Sequence, residues 1–424
     1  MPRSRIALTA LAALAASAVF DSSFAADLGG NCCADLEERI AELEATTARK
    51  GNRKVSLTIS GWVAEQVTYW DDGFENNVYV TGVGSTIASN VKFLGEATIV
   101  PGWTAGYLLH IEADGSDAAT TNQTTPVGPN FLHVLQGGGT GNAVQTMQSY
   151  WFVKSASLGK VSIGLQSMVS DNAAILVDGS GSLVSANYVA FDVASFALRT
   201  KGTGAPASAW VLAGACIPGD CYGVPMNAVR YDSPTFAGFS VSASWGDDEV
   251  WDIGLRYAGE VAGFKVAATA VYAESSGTST SSLYGDSEYF QAGLYLQHIG
   301  TGLFGLVNYA SIEDNAPGAG QSGVVFFRGD GDTWYFKGGI RQRWTSLGHT
   351  VLYGEYLTSE GDDFNLVVAP GNRELEWYGL GAVQEIDNAG MSLWLKFRNF
   401  EASDNSGVAY EDMTEVTFGA LIGF

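Results

Sequence analysis

Six bases, Arg230, Arg256, Lys337, Arg341, Lys396 and Arg398, stand in segments where apolar and polar residues alternate, each on the polar side. Lys92, Lys154 and Lys160 hold the same side elsewhere. Three acids, Asp171, Asp178 and Asp192, sit instead in the longest connection, from about Val169 to about Met226. Acids on such a connection facing bases on a wall would set up a transverse field in a narrow, water-filled passage. A field of that kind orients dipolar solutes and penalises apolar ones. The local reading is that each base pairs with a nearby Asp or Glu or sits near a rim. Trp62, Tyr150, Phe152, Tyr289 and Tyr295 share the polar side, and an aromatic track there would suit a sugar.

Catalysis finds no such constellation. His110, His133, His298 and His349 are scattered, and no Gly-x-Ser-x-Gly elbow accompanies them. The glycine-rich stretches at 82–84 and 137–141 precede no helix, so phosphate binding is not expected. The cysteines lack zinc spacing, and no metal site is expected. Cys216 and Cys221 flank a Pro-Gly turn and form a disulfide candidate in an oxidising compartment, whereas Cys32 and Cys33 are adjacent. The formal net charge of −23 excludes the basic footprint that nucleic acid requires.

The elements that position these residues are strands. Phe239, Val241, Ala243 and Trp245 alternate with Ser240, Ser242 and Ser244, and Phe264 to Tyr272 carries aromatics at both ends of an apolar face. Tight turns are expected at Pro101-Gly102, Leu158-Gly159, Ser233-Pro234, Ala262-Gly263, 300–302, 346–348 and 388–390. Long connections begin near Asp71, Asp114, Val169, Gly246, Glu274, Ile312, Ser359 and Glu401. Seven turns and eight loops connect sixteen strands, short on one side and long on the other. Charged residues make up only 16%, against about 25% in a soluble chain. No apolar run reaches the length of a membrane helix, so a membrane crossing would require a closed barrel. Glu65 stands apart because it shares its face with Leu57, Ile59, Val63, Val67 and Tyr69. Either a neighbouring subunit covers it, or a bulge turns it inward.

Residues 1–25 read as a signal peptide, with Arg3 and Arg5 before an apolar run and small residues before Ala26. Residues 26–54 read as a periplasmic helical stalk. Cys33, Leu36, Ile40, Leu43 and Thr47 follow a heptad, so Leu36, Ile40 and Leu43 are candidate subunit-interface residues. A single amphipathic helix lying on the barrel is the other reading. Residues 55–424 read as the barrel, with an inserted constriction loop at about 169–226. The chain ends in mid-strand on Thr417 to Phe424, and that strand is expected to close onto the first.

Residues 31–62, with the sequence NCCADLEERIAELEATTARKGNRKVSLTISGW, resemble the stalk and first strand of alphaproteobacterial general-diffusion porins. Residues 228–245 resemble that family's middle hairpin, and 417–424 resemble an outer-membrane barrel's C-terminal signal. The resemblance implies an all-β, sixteen-stranded antiparallel transmembrane barrel in the bacterial outer membrane, with a third loop folded into the pore. It implies a homotrimer and passive diffusion of small hydrophilic solutes and ions, with no catalytic cofactor. It further implies contact with outer-membrane lipid and lipopolysaccharide, calcium or magnesium at acidic loops, and peptidoglycan contact through the N-terminal region. A substrate-specific channel or a structural, adhesive barrel are the alternatives.

Overall fold

A computed structural model of the chain describes residues 54–84, 87–113, 115–129, 144–186, 192, 194–210, 223, 225–276, 286–315, 330–361 and 372–424. The segments expected as a signal peptide and, up to residue 53, as a helical stalk with Leu36, Ile40 and Leu43, together with Cys32, Cys33, Cys216 and Cys221, lie outside the described residues.

The strands are β1 (Ser56–Asp71), β2 (Asn76–Thr81), β3 (Asn90–Val100), β4 (Trp103–Ala113), β5 (Val144–Ser155), β6 (Gly159–Gln166), β7 (Ala197–Arg199), β8 (Pro206–Ala209), β9 (Met226–Asp232) and β10 (Phe239–Gly246). They continue with β11 (Val250–Val261), β12 (Phe264–Ser276), β13 (Asp286–His298), β14 (Leu303–Asp314), β15 (Gly331–Gln342), β16 (Thr350–Gly361), β17 (Arg373–Ile386), β18 (Met391–Asp404) and β19 (Met413–Gly423). Among them β7 and β8 pair only with each other, as a hairpin inside the long loop. The others form one antiparallel sheet whose last strand pairs with its first, from Trp62↔Gly423 to Asp71↔Thr414. Gly61 and Phe424 exchange two further backbone bonds, of 3.1 and 3.0 Å. Closure leaves no sheet edge, as a chain surrounded by hydrocarbon requires.

The two faces follow the alternation. Phe239, Val241, Trp245, Ile253, Leu255, Leu294, Leu296, Phe336 and Leu380 are exposed outward, while Ser242, Ser244, Thr269, Gln291 and Asn308 are buried inside. All seven expected turns join strands on one side. The tightest is Ala262-Gly263, with φ of 50° and 83°, a pair of positive φ values that suits the twist of a two-residue hairpin.

The second wall strand departs from a simple hairpin. It is built from β2 and β3, which pair with the upper and lower parts of β1. Between them residues 82–84, the Gly82-Val-Gly84 stretch, and 87–89 stand outside the ladder. The Ser89 hydroxyl closes the gap: it accepts from Ala64 N at 3.1 Å and donates to Ala64 O at 3.3 Å. Trp62 Nε1 donates to Ile87 O at 3.0 Å, and Gly82 N donates to Ser116 O at 2.7 Å. Glu65 lies beside this break, exposed on the outward face and opposite Ala420 in an unshifted register. The bulge that would have turned it inward is therefore not there.

Candidate functional site

The inner wall carries one continuous row of charge. In register around the barrel stand Lys337 on β15, Glu355 on β16, Gly379 on β17, Arg398 on β18 and Glu415 on β19. Arg398 reaches Glu355 across the glycine, with Nε 2.7 Å from Oε1. A Cβ at Gly379 would stand 2.6 Å from Glu355 Oε1 and 3.1 Å from Arg398 Cγ, so the missing side chain is what lets the pair meet. Tyr335 OH donates to Glu355 at 2.6 Å, and the Arg398 guanidinium stacks 5.5 Å from the Trp377 ring.

The described parts of the long loop that follows β6 are fastened to the inner wall at several points. At its root Arg230 holds Asp232 through Nε and Nη2, at 3.0 and 2.9 Å, and donates to the Ser167 and Met168 carbonyls. Arg256 Nη2 donates to Val169 O at 2.8 Å, and Asp252 accepts from Ser170 N at 2.7 Å. Gln291 Oε1 accepts from Ala174 N at 2.7 Å. Further on, Lys337 pairs with Asp178 and donates to Ser182 Oγ at 3.0 Å, and Tyr335 OH also reaches Ala186 O at 3.1 Å. Asp192 then meets Lys396, Arg398 at 3.3 Å and Gln66 Nε2 at 2.6 Å. The β7–β8 hairpin continues to the mouth, where Arg199 binds Asp72 at 2.8 Å and Gln123 binds the Ala197 carbonyl at 2.9 Å.

All six wall bases thus stand on inward registers. The expected picture of acids facing bases across an opening does not describe their contacts. Asp178 and Asp192 touch their bases directly and are buried with them. Neutralised against each other, these groups contribute little long-range field and much local fixation. Arg341 is spent differently: both its terminal bonds go to Glu385, at 2.8 Å each, with His349 beside them. Lys160 pairs with Asp232 at 3.1 Å, Lys92 stacks 4.6 Å from the Trp62 ring, and Lys154 is exposed. Trp62, Phe152, Tyr289 and Tyr295 do face inward but are buried, and Tyr150 is half-buried, so they offer a passing solute no continuous track.

Asp171 makes no wall ion pair of this kind. Burial pushes its carboxyl up to about 6, against the pull of the Ser167 and Asn172 hydrogen bonds and of Arg230. Asp192 moves the other way: burial raises it, but Lys396 and Arg398 outweigh burial and hold it below the usual range. At the mouth Asp72 is also lowered, because Arg199 and the Glu75, Gln123 and Phe74 N–H donors together exceed the effect of burial.

Sequence reasoning passed over Glu355, Glu415, Tyr335, Gln66, Asp252 and Gln291. Their signal was available in part: each is a polar residue on the inward alternation of its strand. Among the described residues no group of His, Cys, Asp and Glu is arranged to hold a metal ion.

Three comparisons bear on the family. No curated protein matches the sequence significantly. Among solved structures, the anion-selective porin from Comamonas acidovorans is 16% identical with a TM-score of 0.53, covering 87% of this chain and 100% of its own. A Salmonella typhi OmpF complex with daunomycin is 12% identical with a TM-score of 0.53, covering 88% and 98%. The outer-membrane channel DcaP of Acinetobacter baumannii is 8% identical with a TM-score of 0.52, covering 89% and 100%. At these identities the likeness is one of fold. The family model described as Gram-negative porin matches residues 7–405, nearly the whole length, and the chain belongs to that family.

Proposed function

We propose that this porin is a general-diffusion channel for small hydrophilic solutes and ions, whose aperture is set by how the long loop is fastened inside the outer-membrane barrel. The observation that carries this is the double attachment of the loop, Asp178 to Lys337 and Asp192 to Lys396 and Arg398, inside a closed wall. Asp171, Asp178 and Asp192 with Arg230, Arg256, Lys337, Arg341, Lys396 and Arg398 are the pore-lining set in this reading. Except for Arg341, which is committed to Glu385, and Asp171, which makes no wall ion pair, their work is to hold the loop against one side, leaving the rest of the cross-section to water. Buried, paired charges suit this because a single conformation satisfies them all, and every partial displacement strands a charge. The reading over a substrate-specific channel rests on the burial of the inward aromatics.

The assembly we propose is a homotrimer packed through the face that carries Glu65. A carboxylate among Val63, Val67 and Tyr69 in hydrocarbon costs on the order of 2 kcal/mol, which a neighbouring subunit removes. Leu36, Ile40 and Leu43 extend the same association into the periplasm as a helical stalk, whose basic end at Arg49 to Lys54 suits lipid headgroups or peptidoglycan. Single-channel recording in planar bilayers tests the channel reading. Open, ohmic conductance in three equal steps, unblocked by sugars, is expected. Saturable block by one sugar would replace general diffusion with specific transport.

A further inference from the structure

The outer surface of β13–β17 is not a smooth hydrophobic wall. Gly305, Gly338 and Gly354 lie side by side on three neighbouring strands, in direct register, and all face outward. Nothing in the protein demands glycine there. A Cβ at Gly305 would meet no atom within 4 Å, at Gly338 only Phe304 O at 3.7 Å, and at Gly354 a Leu380 methyl at 3.4 Å. Their absence of side chains opens a groove of about 740 Å³, walled by Leu294, Val307, Phe336 and Leu380. On a surface that spans a membrane, hydrocarbon occupies such a groove.

What lies above it narrows the occupant. Following the same strands toward the loop end, the outward positions become acidic: Glu313, Asp332, Glu360, Glu374 and Glu376. Asp332 stands directly opposite Glu360, and Glu360 opposite Glu374, an arrangement in which like charges repel. Tyr309 and Tyr356 donate their hydroxyls to Asp332 and Glu376 and so fix two of these carboxylates at the end of the apolar surface. Among the described residues no Lys or Arg occupies an outward position on β13–β17 to balance them. A cation supplied from outside the chain would complement these outward carboxylates. Asp332 is six residues above Gly338, about 20 Å along the strand and about 15 Å along the membrane normal at a barrel tilt of about 40°. That is the reach of one acyl chain below its head group.

We propose that this face binds one membrane lipid whose head group carries an amine: its acyl chain lies over Gly305, Gly338 and Gly354, and its ammonium lies among the carboxylates of Asp332, Glu360 and Glu374. Groove and acids select together, the groove for the chain and the acids for the cation. The proposal goes beyond solute diffusion and leaves the pore untouched.

The test uses the full chain, purified in detergent and mixed with equal amounts of phosphatidylethanolamine and phosphatidylglycerol of matched acyl chains, read by native mass spectrometry. These lipids share the phosphate and differ in the amine. The wild type should retain one phosphatidylethanolamine per subunit with at least fivefold preference, unchanged by a chelator. Gly338→Leu, whose side chain has room outward, should lose retention of both lipids about tenfold while conductance stays at the wild-type value. Glu360→Gln with Glu374→Gln should keep lipid but lose the preference. No retained lipid, equal retention in Gly338→Leu, or binding of phosphatidylglycerol that a chelator abolishes would each overturn the proposal; the last would point to phosphate held through a divalent cation.

Discussion

Replacing Asp192 by Asn removes the charge at which the loop meets two wall bases at once. In the native chain Asp192 faces Lys396 and Arg398 and accepts from Gln66 Nε2 at 2.6 Å. Arg398 keeps Glu355 as a partner, but Lys396 is left with Glu415, whose nearest oxygen is 3.8 Å away. Lys396 and Glu415 are buried, so the variant strands a poorly paired ammonium in a site closed to water. Breaking a buried pair by removing one partner costs about 3–5 kcal/mol. The Asn amide retains the Gln66 contact, so the lower end, about 3 kcal/mol, applies to this variant. At about 1.4 kcal/mol per decade, the detached state of this loop segment becomes roughly a hundredfold more populated. Single-channel recording reads that directly, as a large increase in current fluctuations and a lower voltage for closure. Asp192→Asn combined with Lys396→Met should recover part of the loss, because no charge is then stranded. Noise, conductance and closing voltage identical to the wild type in Asp192→Asn would refute the fastening account.

Gly379→Ala places a methyl 2.6 Å from Glu355 Oε1 and should lower thermal stability by about 1–3 kcal/mol, seen as unfolding of the detergent-solubilised barrel at lower temperature. Neutralising Arg256, Arg341 and Arg398 together removes three wall bases, leaves Glu385 and Glu355 without their arginine partners and should raise cation selectivity; unchanged reversal potentials in a salt gradient would remove these bases from selectivity. The pH dependence of the loop should have two opposite parts. Asp171, raised to about 6, binds its proton more readily in the folded loop, so its contribution grows as pH falls from about 7 toward 4. Asp192, lowered, contributes fully above the ordinary carboxylate pKa and loses that contribution as pH falls through its depressed value, so channel noise should rise only in strong acid. Glu65→Leu should change the temperature at which the oligomer dissociates in detergent, and an unchanged temperature would count against the interface.

Strand count, turns and the inward registers of all six wall bases were legible because they depend on short-range pattern. Alternation decides which face a side chain takes, and Pro-Gly or Ala-Gly decides where the chain reverses. What escaped the sequence depends on distant partners. In the break between β2 and β3, Gly82, Ile87 and Ser89 are held by Ser116, Trp62 and Ala64, none of them local to it. Asp178 and Asp192 were recognisable as loop acids, but their burial against Lys337 and Lys396 follows from the path of the loop along the wall. The row from Lys337 through Gly379 to Glu415 requires the register of four successive strand pairs, and an error of one residue in any of them hides it.

The central claim is a cylinder wet inside and apolar outside. It is tested most directly by adding a bulky, membrane-impermeant thiol reagent to single channels that carry Lys154→Cys or Val63→Cys, with Cys32, Cys33, Cys216 and Cys221 changed to Ser. Lys154 is exposed on the inner face and Val63 is 55% exposed on the outer. The account predicts a stepwise fall in current for Lys154→Cys and none for Val63→Cys. Block at Val63→Cys with no effect at Lys154→Cys would contradict it.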